Sequence, residues 1–306
     1  MDKSSAFARA IAWVNPELRS VCVCVFNVII FLERDDNLCQ FCSLTNELTK
    51  GISMKLCKFS PSKRMQLITM PEFIHSGNKK KKYVQEMFEE VSHNYDFLNH
   101  FLSFGLDYYW RKKLVQYAEV ESGHKVLDVA TGTGDVAFAF LKKHDVDVIG
   151  LDYAFNMVKI AKSKSEKFGH SNKTLFVQGD GELLPFPDDS FDRLTISFGF
   201  RNIGHYDTAL KEFKRVLKPR GQLLILEFSE PKSKIFNGFY QFYFKHILPR
   251  LGALLSRADA YRYLPESVEH FPPRDEICHL MIDCGFEKAE YYDFTFGVCS
   301  IFVGYN

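Results

Sequence analysis

A glycine-rich loop is the part of this 306-residue sequence whose residue types most clearly suit chemistry. Residues 125–135 read KVLDVATGTGD, an apolar run followed by a loop that contains Thr131, Gly132, Thr133 and Gly134. A helical pattern follows, so this is the strand, turn and helix start of a nucleotide-binding α/β unit. The two glycines lack a Cβ, which lets the backbone turn sharply and lie against a ligand. The threonine hydroxyls and the free N–H groups of the helix start would face that ligand.

Two carboxylates, Asp128 and Asp135, flank the loop. They would repel a pyrophosphate, whereas the sulfonium and the amino group of S-adenosylmethionine are positively charged and would be attracted. The charge pattern therefore favours methyl transfer. The competing hypothesis is an NAD-dependent oxidoreductase, because residues 132–137 fit the GxGxxA pattern of dinucleotide-binding proteins.

After the loop, strand and helix patterns alternate, as in a parallel sheet with right-handed crossovers. Asp152 ends the second strand, where a ribose diol is usually bound; the alternative is a helix N-cap. Asp180 follows the third strand and would accept a hydrogen bond from an adenine amino group. The patterns predict strands at 146–151, 174–178, 193–198 and 222–228, helices at 209–217 and 274–284, and closing strands, antiparallel at the edge, at 287–294 and 299–304.

Composition and charge exclude several classes of protein. The net charge of +1 gives no overall field for nucleic acid or an anionic membrane. Eight unevenly spaced cysteines, with one Cys39-x-x-Cys42 and no second such pair, indicate reduced thiols in the cytoplasm and no metal site. The longest apolar run, residues 21–32, is shorter than the about 20 residues that span a bilayer.

The segments outside the alternating pattern have separate interpretations. Residues 1–75 lack strand–helix alternation and form an extension of unknown role, with Met70 as a hypothetical functional start. The run Lys79–Lys82 is interpreted as a solvated boundary. Residues 83–120 predict helices across the ligand mouth, and the aromatic insertion at 235–256 is either core packing or a lid over a long apolar substrate.

Several of these stretches together resemble the UbiE/MenG C-methyltransferases of ubiquinone and menaquinone synthesis, from about Tyr83 to the end of the chain. The matching pieces are NYDFLNHFLSFGLDYYWR, VLDVATGTGD, LPFPDDSFD, ISFGFRN, RVLKP, LEFSEP, HILPRLG, YRYLPESVEHFP and GFEKAEYYDFTFGV. The glycine loop is shared by many methyltransferases, whereas ISFGFRN together with LEFSEP and YRYLPESV is specific to this family. The TGTGD form looks more like the menaquinone-type members.

The resemblance implies a fold and a set of cofactor contacts. The fold is the Rossmann-like class I methyltransferase fold, with seven mostly parallel strands, helices on both faces and an antiparallel edge strand. S-adenosylmethionine would be bound by Thr133 in the glycine loop, Asp152 at the ribose, Asp180 and Gly181 near the adenine, and Ser197 at the cleft floor. With Gly132, Gly134 and the flanking Asp128, these residues complete the predicted cofactor site.

Ring-carbon methylation requires an electron-rich quinol and removal of a ring proton. Arg201 would stabilise the phenolate, and a water held by Arg201 and Asn202 would take the proton, since an arginine with a pKa above about 12 is a poor base. The alternative role of Arg201 is a salt bridge at the end of the fourth strand. Other candidate proton acceptors are His205, His246, Tyr261 and Tyr263.

The resemblance also implies partners and marks departures. A prenylated quinol is dissolved in membranes, so we expect a protein without a span that contacts the inner leaflet or a quinone-biosynthesis complex; a homodimer is a further expectation. A non-catalytic scaffold that keeps the fold is the remaining alternative. Arg220 replaces the first glycine of the family's PGG and would strain the turn by about 1 kcal/mol if its φ is positive. His205 stands where a small or acidic residue is expected.

Overall fold

The structure is a computed structural model that describes residues 77–92, 95–232, 238, 243 and 258–306. Residues 1–75, with Met70 and the Cys39/Cys42 pair, lie outside the described residues. So does the insertion at 235–256, apart from positions 238 and 243.

One sheet of seven strands organises the described residues. The strands are β1 (Lys125–Val129), β2 (Asp147–Asp152), β3 (Thr174–Gln178), β4 (Phe191–Ser197), β5 (Leu217–Phe228), β6 (Lys288–Phe294) and β7 (Cys299–Tyr305). Their order in the sheet is β3-β2-β1-β4-β5-β7-β6. The first five strands run parallel, and β7 lies antiparallel between β5 and β6. The predicted Rossmann-like fold, with its antiparallel edge, is confirmed.

Helices cover both faces of this sheet. They are α1 (Gly77–Val91), α2 (Tyr95–Leu102), α3 (Leu106–Tyr117), α4 (Asp135–Leu141), α5 (Phe155–Phe168), α6 (Tyr206–Val216), α7 (Ala258–Glu269) and α8 (Arg274–Asp283), with short 3-10 turns at Phe200–Asn202 and Thr295–Gly297. Successive residues of β1 point to opposite faces: Val126 packs in one apolar cluster and Leu127 in another. Because both clusters are buried, the parallel strands read as nearly continuous apolar runs.

Strand β5 begins five residues earlier than the pattern indicated, at Leu217 instead of Gln222. Leu217 pairs with Phe191, and the β4–β5 register shifts between Phe191 and Arg193. The shift accommodates a turn in which Arg220 has a φ of 66°. The condition stated for strain at this position, a positive φ, is therefore met, and its cost is about 1 kcal/mol.

Candidate functional site

A cavity that is partly open to solvent lies at the carboxyl ends of the first four strands. The residues that line it at the strand ends and in the segments that follow them are Val129, Ala130, Gly132, Leu151, Asp152, Tyr153, Ala154, Met157, Gly179, Asp180, Gly181, Glu182, Ser197, Phe198, Gly199, Asn202 and Ile203. From the preceding helices it is lined by Lys81, Val84, Gln85, Phe88 and Tyr95. This edge is where open parallel sheets bind ligands.

The glycine loop closes one side of the cavity. Gly132 has a φ of 57° and Gly134 a φ of 89°, a region that side chains rarely adopt. A Cβ on Gly134 would lie 2.8 Å from the Phe138 ring. The Gly132 N–H donates to Asp152 Oδ2 at 2.7 Å, which ties the loop to the end of β2.

Asp152 lines the cavity, and two backbone N–H groups bind its carboxylate. The N-cap of helix α5 is Ala154, so the N-cap role considered as the alternative for Asp152 is corrected. Besides the Gly132 bond, its Oδ1 accepts from the Ala154 N–H at 2.9 Å, just before helix α5. Burial raises the pKa of Asp152 to about 6, although these two backbone hydrogen bonds act in the opposite direction. Each carboxylate oxygen has a second lone pair, so the residue can serve the chain and a ribose hydroxyl together.

Asp128 does not line the cavity, contrary to its predicted position beside the ligand. It is 1% exposed and lies beneath the loop, where it accepts hydrogen bonds from the Thr131 and Thr195 hydroxyls, both at 2.7 Å. Burial raises its pKa to about 7, against these hydroxyl bonds. Asp128 therefore braces the loop from inside the sheet, and its charge is weakened near neutral pH.

Thr133 and Gly134 also lie behind the cavity wall. The Thr133 hydroxyl donates to Asp96 Oδ1 at 2.5 Å and accepts from Lys164 Nζ at 2.9 Å. Lys164 Nζ is 3.1 Å from Asp135 Oδ1, and Arg111 Nη1 is 3.4 Å from Asp135 Oδ2. The second flanking acid is thus neutralised by two cations. Neither Asp128 nor Asp135 therefore presents a free charge to the cavity. This corrects the prediction that these two carboxylates attract the sulfonium and repel a pyrophosphate.

Ser197 and Gly181 lie on the cavity wall as the resemblance implies. The Ser197 Oγ is buried and has no hydrogen-bond partner among the described residues. A buried hydroxyl without a partner is costly, so this atom fits a site that receives a polar ligand group. A Cβ on Gly181 would lie 3.1 Å from Val129 Cγ1, which explains the absence of a side chain there.

The lysine run at the start of α1 is not uniformly solvated, which corrects its interpretation as a boundary. Lys80 is 3% exposed and donates to the Ile203 carbonyl at 3.0 Å. Lys81 Nζ lies 2.8 Å from Asp180 Oδ2 and 2.7 Å from Glu182 Oε2. Only the solvent-facing lysines of the run agree with the predicted solvated boundary. The inward pair was missed because the partners of both lysines, a carbonyl for Lys80 and two carboxylates for Lys81, are about 100 residues or more away in sequence.

Arg201 is buried at the end of β4 and makes the salt bridge considered as its alternative role. Its Nη1 lies 2.7 Å from Glu227 Oε2, and its backbone N–H donates to Glu227 Oε1 at 3.0 Å. The same Nη1 donates to the Phe198 carbonyl at 2.6 Å. Burial alone would lower the pKa of Arg201, but the charge and hydrogen bond of Glu227 outweigh it and the pKa is raised. Arg201 is not among the cavity-lining residues, and its catalytic role stays a prediction.

Asn202 does line the cavity, next to Arg201. Its Oδ1 accepts a hydrogen bond from the Tyr263 hydroxyl at 3.1 Å. Burial raises the pKa of Tyr263 well above its ordinary value, so the phenol keeps its proton and acts as a donor. His205 lies at the N-cap of α6, where its Nδ1 is 2.8 Å from Glu182 Oε2. Tyr263 and His205 are thus engaged with the chain's own groups.

The other two candidate proton acceptors have no described side chain. His246 lies outside the described residues, and Tyr261 lies in helix α7. Phe88 and Tyr95 line the cavity together with Gly132, and their rings pack edge to face. Neither was predicted as a site residue. The NYD motif at 94–96 was the available signal for Tyr95.

Within the described ranges, no cluster of His, Cys, Asp and Glu is arranged to hold a metal. No helix in these ranges has the length and hydropathy needed to cross a bilayer.

Solved structures similar to this chain support the fold alone. A SAM-dependent methyltransferase from Thermotoga maritima is 18% identical and superposes with a TM-score of 0.51, over 72% of this chain and 98% of that one. The [4+2]-cyclase SpnF is 19% identical with a TM-score of 0.54, over 74% of this chain and 79% of that one. Since one neighbour is a cyclase, this likeness does not identify a reaction.

The sequence relatives give more specific information than the solved structures do. The chain is 41% identical over 239 residues to a ubiquinone/menaquinone biosynthesis C-methyltransferase UbiE of Geobacter sulfurreducens, covering 78% of this chain and 92% of the relative. A UbiE of Shewanella frigidimarina is 39% identical, covering 75% and 93%. The family model described as the ubiE/COQ5 methyltransferase family matches residues 76–306. With the predicted fold and a ligand cavity at the expected sheet edge, the chain belongs to the ubiE/COQ5 family of S-adenosylmethionine-dependent methyltransferases.

Proposed function

We propose that this chain methylates a ring carbon of a prenylated quinol with S-adenosylmethionine as donor. The substrates would be demethylmenaquinol, the 2-polyprenyl-6-methoxy-1,4-benzoquinol of ubiquinone synthesis, or both. The observation that carries this proposal is the identity of about 40%, over nearly the whole length of relatives named as C-methyltransferases of these two pathways. Nothing in the geometry favours the scaffold or oxidoreductase alternatives.

The cavity residues fit the cofactor. When bound, S-adenosylmethionine supplies an electrophilic methyl group on a sulfonium. Asp152 would accept from the ribose hydroxyls, and Asp180 with Gly181 would border the adenine. Ser197 offers a buried Oγ for a polar group of the ligand. Thr133 would act through the glycine loop that it anchors to Asp96, because its hydroxyl is held behind the cavity wall.

Asn202 is the polar side chain best placed to bind the quinol ring. Its Oδ1 is held by the protonated Tyr263 hydroxyl, so the amide orientation is fixed. Nδ2 donates one hydrogen to the Phe198 carbonyl at 3.5 Å, and its second hydrogen remains as the donor. A donor at a quinol oxygen would stabilise the developing phenolate, which makes the ring carbon more nucleophilic. A water bound at Asn202 would then receive the ring proton. Tyr263 would therefore not act as the base itself.

Arg201 would contribute from behind the wall. Its guanidinium stacks at 5.5 Å from the centroid of the Phe228 ring and is balanced by Glu227. Since the pair is nearly neutral, the favourable field on a phenolate is reduced. The larger effect of Arg201 would be to fix the 3-10 turn at Phe200–Asn202, and with it the position of Asn202.

The prenyl tail requires an apolar exit. The aromatic insertion at 235–256 is the segment whose composition suits that role, and contact with the membrane surface would deliver the substrate. A homodimer and attachment to a quinone-biosynthesis complex remain part of the proposal. The insertion lies outside the described residues, apart from positions 238 and 243.

Two measurements test the proposal on the full chain. Titration calorimetry with S-adenosylmethionine and with NAD should show binding of the first only. Transfer of labelled methyl to a prenylated quinol should yield a lipid heavier by one methyl, identified by mass in complemented quinone-deficient cells. Binding of the cofactor without any transfer to either quinol would reject the proposed reaction and favour a scaffold.

A further inference from the structure

Helix α1 lies across the carboxyl ends of three strands and is fastened there by polar side chains on one stripe. We call this helix, Gly77–Val91, the strap. Lys81, Gln85 and Glu89 are spaced four residues apart and therefore share one face of the helix. Lys81 reaches Asp180 and Glu182 after β3, and the Gln85 amide donates to the Tyr153 carbonyl at 3.4 Å after β2.

The far end of the strap is bound by Glu89. Its Oε1 accepts from the Phe155 N–H at 2.5 Å and its Oε2 from the Asn156 N–H at 3.0 Å. These are free N–H groups of the first turn of α5, so the carboxylate satisfies donors that the helix cannot. The near end is held where the Gly77 N–H donates to the Gly204 carbonyl at 3.1 Å. A Cβ on Gly204 would lie 3.0 Å from the Gly77 oxygen, which shows how closely the strap approaches the sheet edge.

Lys81 is the strap contact that touches the cofactor site directly. Its side chain is 16% exposed, and Asp180 is 31% exposed on the cavity wall. Asp180 Oδ1 accepts from the Glu182 N–H at 2.9 Å, and Oδ2 is held by Lys81. Glu182 has three further donors, from the Gly204 N–H, the His205 N–H and His205 Nδ1, so it does not depend on Lys81 alone. Among the described residues, Lys81 is the donor at Asp180 Oδ2 and the Glu182 N–H is the single further donor, at Oδ1.

We propose that Lys81 is a positioning residue for the cofactor: it holds Asp180 toward the adenine and keeps the strap closed over the bound nucleoside. This inference rests on the proposed location of the adenine at Asp180. A cation held between two carboxylates orients Asp180 as an acceptor. Loss of the ammonium would remove the ion pairs of the strap with Asp180 and Glu182, and Asp180 would keep the Glu182 N–H at Oδ1. Lys80 would still bind the Ile203 carbonyl in the same turn.

The test compares Lys81→Met with Lys82→Met in the full chain. Lys82 is 79% exposed, and its Nζ is 3.9 Å from Glu86 Oε1, so it is a matched control on the solvent face of the same turn. Lys81→Met should raise the dissociation rate of S-adenosylhomocysteine about tenfold, measured by stopped-flow displacement, whereas Lys82→Met should leave it within twofold. Lys81→Arg, which keeps the charge, should recover most of the slow dissociation. Equal rates for the two methionine variants would overturn the inference.

Hydrogen–deuterium exchange gives a second readout that does not depend on turnover or on a variant. In the unmodified chain, S-adenosylhomocysteine should slow exchange of the amides in 77–91. Unchanged exchange there, with the ligand bound, would also overturn the inference. If S-adenosylhomocysteine binds and protects the strap but no quinol is methylated, the proposed reaction fails while the role of Lys81 stands. If Lys81→Met behaves like Lys82→Met while quinol methylation proceeds, only the role of Lys81 fails.

Discussion

The buried pair Arg201–Glu227 allows the structural and catalytic roles of Arg201 to be separated. The Arg201 side chain is 7% exposed and the Glu227 side chain is not exposed at all. Glu227→Gln keeps the shape but leaves the guanidinium buried without its counter-charge. Removal of one partner from such a pair costs about 3–5 kcal/mol, because the remaining charge has lost its compensation.

This cost is large enough to measure by two methods. For a domain of roughly 150–250 residues, each 1 kcal/mol lowers Tm by about 2–4 °C, so Glu227→Gln should lower Tm by about 10 °C. Arg201→Met should destabilise by a similar amount. The double variant contains neither charge and should be more stable than either single variant, with a coupling of about 2 kcal/mol in urea denaturation. Costs that add without coupling would refute the argument that this pair holds the turn at Phe200–Asn202.

The activity of the double variant then decides the role of Arg201. If its only role is to balance the buried charge of Glu227, the Arg201→Met/Glu227→Gln chain should regain labelled-methyl transfer along with its stability. If its charge stabilises the phenolate, the chain should be stable, bind S-adenosylmethionine within a few-fold of the unmodified protein, and remain inactive. Calorimetry with the cofactor supplies the control for both outcomes.

Three further predictions follow from single side chains. Burial raises the pKa of Asp128 from near 3.8 to about 7, so between these values the folded chain keeps a proton that the unfolded chain releases. Stability should therefore fall as pH rises through this window, by at most about 4 kcal/mol, and Asp128→Asn should flatten the Tm–pH curve; parallel curves would contradict the shift. Tyr263→Phe should lower the turnover number about tenfold by releasing Asn202, while S-adenosylmethionine affinity in calorimetry stays unchanged; full turnover would exclude this role. Arg220→Val should be about 1 kcal/mol less stable in urea than Arg220→Gly, because a β-branched residue tolerates a φ of 66° poorly; the reverse order would show that the turn is not strained.

The sheet was predictable because each parallel strand is a short apolar run and each crossover has a helical period. The edge pair β6 and β7 was also predicted, at 287–294 and 299–304, within one residue of the observed bounds. The start of β5 was not, since the pairing of Leu217 with Phe191 is a long-range contact that compensates for Lys218 and Pro219 in the local pattern. Local periodicity carries no information on such pairings.

The site residues also divide into those that the sequence could place and those that it could not. Asp152 and Asp180 could be placed because a residue that follows a parallel strand must lie at the carboxyl edge of the sheet. Asp128 could not, since the path of the loop decides whether its carboxylate faces the cavity or the interior. The ion pair of Lys81 with Asp180 joins residues about 100 positions apart, and a run of four lysines gives no sign of which ones turn inward.

The choice between a sulfonium cofactor and a dinucleotide now depends on the loop's N–H groups more than on its acids. A pyrophosphate is held by free backbone N–H groups at a glycine loop and helix start. Here the Gly132 N–H is bound to Asp152 at 2.7 Å and the Gly134 N–H to the Thr131 carbonyl at 3.0 Å. A diphosphate would have to displace the half-buried Asp152 carboxylate to reach the first of these donors. A nucleoside with a positively charged sulfur needs neither donor, so the loop can keep its internal bonds while the ligand is held by Asp152 and its neighbours.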